Sequence, residues 1–73
     1  MVFTYDRNWV EIENMLDKAE KTKNKWNTEF HLARERGDRE SMKRAVRNYK
    51  ALEGVVKTLR WTLGEKGAPS PLA

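Results

Sequence analysis

Two apolar seams whose residue numbers add to a constant constrain this chain more than any other feature. Trp9, Ile12, Leu16, Ala19, Lys23, Trp26, Phe30 and Ala33 recur at alternating steps of three and four, and only Lys23 is not apolar. A second run, Met42, Ala45, Tyr49, Leu52, Val56, Leu59 and Leu63, does the same. Each is the heptad stripe of a helix that buries one narrow face. If the chain reverses at Gly37-Asp38, antiparallel helices pair residues whose numbers sum to about 75. The seams meet that condition throughout: Ala33 with Met42, Phe30 with Ala45, Trp26 with Tyr49, Lys23 with Leu52, Ala19 with Val56, Leu16 with Leu59 and Ile12 with Leu63. Two unrelated stripes could have been several residues out of phase. Their agreement predicts an all-α fold, a tight antiparallel αα-hairpin rather than one continuous helix.

The punctuation fits. No Gly or Pro interrupts residues 8–36, and Asn8 with Glu11 has the spacing of a capping box, in which each side chain serves the other's free N–H. Helix 1 is therefore placed at about 8–36. Gly37 suits the left-handed position that closes a helix and Asp38 can cap the next one. Helix 2 runs from about Arg39 to Leu63 or Lys66. Residues 1–7 form an N-terminal arm, and the Pro-rich, uncharged residues 67–73 read as a disordered tail.

A chain of 73 residues without cysteine has no disulfide to stabilise it, and a two-helix rod exposes much of its apolar stripe. Met15 beside the first seam, and Val46 and Val55 on opposite sides of the second, widen that stripe, while Trp26 and Tyr49 are too large for the hairpin alone to bury. These five residues are the expected oligomer interface. Two hairpins joining into a four-helix bundle is the simplest way to cover them, and an N-terminal arm folded over one flank is the alternative. Lys23 can lay its stem along Leu52 with its amine in solvent, and a polar seam residue can limit oligomer size.

Trp61, Val10 and Leu32 lie almost opposite their seams, where a solvated face should be polar. Trp61 and Val10 fall at the open end of the hairpin, within reach of Phe3 and Tyr5. That group either closes a satellite cluster or forms a protein-binding hot spot with Arg60, Arg7 and Lys57 as its charged rim. The charge is uneven: residues 1–20 carry two basic and five acidic side chains, residues 21–73 thirteen and six. Arg34, Arg36, Arg39, Lys43, Arg44, Arg47 and Lys50 gather around the turn and along helix 2, a candidate phosphate-contacting surface. Glu35, Asp38 and Glu40 dilute it, and Glu40 with Arg44, Glu53 with Lys57 and Asp17 with Lys21 have ion-pair spacing.

Chemistry beyond binding finds no support. His31 has no ligand partner at metal spacing, Ser41 and Ser70 have no base to activate them, and Glu13, Asp17 and Glu20 stand among Lys18 and Lys21. No glycine-rich phosphate loop is present. The reading is thus non-enzymatic, with no cofactor, no metal, no small-molecule substrate and no membrane partner. A cytoplasmic location is expected from the lack of an apolar run near 18 residues and of a basic-then-apolar leader. In scale and layout the chain resembles the short helical-hairpin regulators and inhibitors carried by phages and plasmids, a likeness of form with no residue motif behind it. The leading expectation is a homodimeric interaction protein that binds and inhibits another protein. A nucleic-acid-binding regulator using the basic face is the alternative, and a purely structural subunit uses the same bundle logic.

Overall fold

The computed structural model describes residues 7–72, so Phe3 and Tyr5 lie outside the described residues. Two helices, α1 (Trp9–Arg36) and α2 (Arg39–Thr62), pack along each other as an antiparallel hairpin, and no strand occurs among the described residues.

Asn8 caps α1 from extended backbone, its Oδ1 accepting the Glu11 N–H at 2.9 Å. Only half of the expected capping box forms, because the Glu11 carboxylate is taken up by Arg7 Nη1 at 3.2 Å. Gly37 then closes α1 at φ 72°. Its N–H donates to the Arg34 carbonyl and that of Asp38 to the Ala33 carbonyl, the double bond pattern that satisfies two orphan carbonyls of a helix end.

Asp38 caps α2, accepting from the Ser41 hydroxyl at 2.6 Å and the Ser41 N–H at 3.1 Å. Those two donors, with Arg36 nearby, hold the Asp38 carboxyl below the usual aspartate range. A depressed folded-state value means the cap contributes fully above the aspartate range of an unfolded chain. That contribution is lost as the pH falls through the lower folded-state value. Acid titration followed by helical circular dichroism should therefore show a loosening of α2 that is flattened in Asp38→Asn, which keeps an acceptor but no longer titrates. An identical acid limb in both proteins would remove the cap from the account.

The C-terminus of α2 repeats the end of α1. Gly64, at φ 75°, donates its N–H to Trp61 while Glu65 donates to Arg60. The helix ends at Thr62, short of Lys66, because glycine at this position offers the left-handed turn at low steric cost. Trp9 pays for that early stop in cover: its seam partner by number is Lys66, which no longer lies on a helix, and Trp9 is 64% exposed. Beyond Gly64, a second positive-φ turn at Gly67 brings Pro71 and Leu72 alongside Ala51, Gly54 and Val55 at the edge of an open groove.

From Ile12 to Leu63 every seam residue is buried or half-buried, Lys23 included. The fully buried ones are small: Ala19, Ala33, Ala45 and Val56. Ile12, Leu16, Trp26, Phe30, Met42, Tyr49, Leu52, Leu59 and Leu63 are half-buried along its edges. The hairpin therefore has a zipper of small side chains instead of a core of large ones, and its apolar bulk faces outward.

Candidate interaction surfaces

The two flanks of the hairpin differ. In an antiparallel pair, residues just after the 12/19/26/33 seam positions of α1 and just after the 45/52/59 positions of α2 share one flank, and those just before the alternate positions share the other. The first flank carries Glu20 and Arg60, whose carboxylate and guanidinium meet across the helices at 2.8 Å. It also carries Asn27 and Val46, which line one groove with Trp26, Phe30, Ala45, Tyr49 and Lys50. The second flank carries Met15 and Val55, joined through Leu59, which lines the grooves containing each of them. The five residues expected at an oligomer interface are thus divided: Met15 and Val55 on one side, Val46 on the other, Trp26 and Tyr49 on the seam with the Val46 groove beside them.

At the open end, Val10 is 63% and Trp61 53% exposed, and Trp9 joins them from the uncovered end of α1. Sequence reasoning placed Trp9 on the seam. The signal that it would be left bare was Gly64, which stops α2 one turn too early to cover it. Arg60 is not a free rim residue: Glu20 and Glu65 hold it at 2.8 and 3.7 Å, and the Glu20 hydrogen bond raises its pKa above the usual arginine value. Arg7 is likewise paired with Glu11.

The basic residues spread over the turn and the first half of α2. Lys43 meets Glu40 at 3.8 Å, a pair that takes the place of the expected Glu40–Arg44 contact. Asp17 and Lys21 pair at 2.9 Å as their spacing suggests. No described carboxylate lies within salt-bridge distance of Arg34, Arg36, Arg39, Arg44, Arg47, Lys50 or Lys57, so the Glu53–Lys57 pair is not made. Asp38 nevertheless feels the charge of Arg36, and Glu40 holds Lys43.

These cations border an apolar trough. Its inner stretch, about 210 Å³, is the Trp26–Tyr49 groove; around Phe30 and Val46 it continues into a wider stretch of about 510 Å³ lined by Arg39, Met42, Lys43 and Arg47. Lys23 reaches Tyr49, one of the residues of the inner stretch. Its amine lies over the Tyr49 ring, 5.3 Å from the centroid, one layer nearer the turn than its numerical partner Leu52. A cation on an aromatic face is a favourable place for a seam lysine.

His31 presents its ring edgewise to Phe30 at 5.5 Å and is exposed, while Asp17 and Glu20 are committed to Lys21 and Arg60. No described helix is long and apolar enough to cross a membrane. No family model, curated protein or solved structure matches the chain. The functional reading therefore rests on the surfaces themselves.

Proposed function

We propose that this protein is a small non-enzymatic interaction protein of the cytoplasm that binds another protein through the open end of its hairpin and inhibits it by occupying its surface. The observation that carries the reading is the bare aromatic end: Trp9, Val10 and Trp61 stand more than half exposed at one tip of a molecule whose other large apolar residues are mostly half-covered. Exposed tryptophan is the side chain most often found at the energetic centre of protein interfaces. Self-association into a four-helix bundle is part of the proposal, with Met15 and Val55 as the covered flank, because that side is poorer in arginine and lysine than the Val46 side.

The test is capture on immobilised protein, comparing wild type with Trp61→Ala. Proteins retained by wild type should be lost from the variant while its helical circular dichroism stays near wild type. Unchanged capture would remove Trp61 from the site, and collapse of the helical signal would make it structural. A second reading has its own support in Arg34, Arg36, Arg39, Arg44 and Arg47, which meet no described carboxylate within salt-bridge distance. Fluorescent mixed-sequence RNA and DNA titrated in the same series at about 0.15 M salt address it. Micromolar binding with a steep salt slope would transfer the function to the basic turn.

A further inference from the structure

We propose that the cation-bordered trough beside the turn is a second docking site, and that its occupant is an amphipathic helix of another protein whose apolar stripe is flanked by carboxylates. The site is distinct from the open end and stands or falls separately from it. Its floor is apolar, built from Trp26, Phe30, Met42 and Val46, and no carboxylate among the described residues lines either stretch. Arg39, Lys43, Arg47 and Lys50 form the border on α2.

Shape and charge select the same partner. A channel between two antiparallel helices accepts a third helix, whose apolar side chains sit between those of the walls. Arg39 to Lys50 is twelve residues, about 17 Å of helix from first to last, which matches roughly three turns of a partner. Acidic residues beside the partner's apolar stripe would meet the four cations at the rim. There they add steering and orientation while burial of the floor supplies affinity. A nucleic-acid backbone would satisfy the cations and leave Phe30, Met42 and Val46 in water. A second copy of this chain is a poorer complement, because three of the six carboxylates of α1, Glu11, Asp17 and Glu20, already meet Arg7, Lys21 and Arg60, and the other three, Glu13, Glu29 and Glu35, stand at three different heptad positions and form no row beside an apolar stripe.

The probe is a fluorescent 14-residue helical peptide with leucine at steps of three and four and glutamate on both sides of the stripe, read by anisotropy at about 0.15 M salt beside a lysine-for-glutamate counterpart. The glutamate peptide should bind the full chain and the lysine peptide should not. Val46→Glu, at a position already 42% exposed and so tolerant of change, should weaken binding at least about tenfold. The quadruple change of Arg39, Lys43, Arg47 and Lys50 to Gln should do the same and flatten the salt dependence. Trp61→Ala should bind the peptide like wild type, which separates this site from the open end. Binding that ignores both trough variants, or equal binding of the two peptides, would overturn the proposal. So would displacement of the peptide by mixed-sequence RNA that Val46→Glu leaves intact, or a wild-type dimer in sedimentation that Val46→Glu converts to monomer. The last result would put a second copy in the trough.

Discussion

Replacing Ala45 with Asp is expected to unfold the hairpin. Ala45 is 1% exposed and sits in the seam opposite Phe30. A carboxylate there loses its water without gaining a partner, at a cost of several kcal/mol after relaxation. A domain this small commands only about 3–5 kcal/mol in total, so the penalty is of the size of the whole stability. Far-UV circular dichroism of Ala45→Asp should show a largely disordered chain at 25 °C. Ala51→Asp is the control: the same exchange at an exposed position of the same helix should cost under about 1 kcal/mol. If the two variants melt alike, the seam is not what holds the helices together.

Replacing Gly37 with Val should have the next largest effect. Beyond Gly37 and its two chain neighbours, no atom lies within 4 Å of where a Cβ would stand, so crowding is not the issue. The backbone is: φ is 72°, a conformation that costs an L-residue about 1–2 kcal/mol, with a β-branched one at the upper end. For a domain of this size each kcal/mol lowers the melting temperature by about 4–8 °C. Gly37→Val should therefore lose roughly 10 °C, and Gly37→Asn, which tolerates the left-handed region, about half as much. Equal melting of wild type, Asn and Val would mean the turn has another geometry in solution.

The hairpin was legible because its cause is periodic. Heptad stripes, a glycine and an adjacent cap residue are each readable alone, and the constant sum of the paired numbers ties them into one topology. What escaped was set by single residues off the period. Gly64 ends α2 where the apolar pattern runs on, and Trp9 loses its cover as a consequence. Glu11 prefers Arg7 to the backbone it was spaced to serve, and Glu40 reaches Lys43 instead of Arg44. Long charged side chains choose among several neighbours at nearly equal energy, so spacing names candidates without choosing between them.

The same reasoning applies to the surfaces. Val46 and the arginines of α2 were each visible in the sequence, one as a widened stripe and the others as a basic cluster. That they share a channel depends on side chains leaning from neighbouring columns of one helix toward the other, which residue type alone does not fix. The open end was legible in Trp61 and Val10, yet Arg60 was read as part of its rim when it is the cross-helix partner of Glu20.

The alanines of the seam have a consequence for how this molecule can change. Ala19, Ala33 and Ala45 let two backbones approach so closely that no large side chain fits between them, so tryptophan, phenylalanine, tyrosine and methionine are displaced to the rim. The same aromatic ring then has one edge against the opposite helix and the other in water. Along this rim, unlike at the exposed Trp61 and Val46, folding and recognition are for this reason shared by the same residues. Exchanging Phe30 or Tyr49 to alter what the protein recognises would also alter how tightly the hairpin closes, so its surface chemistry drifts more freely at exposed positions such as Lys50 and Arg47.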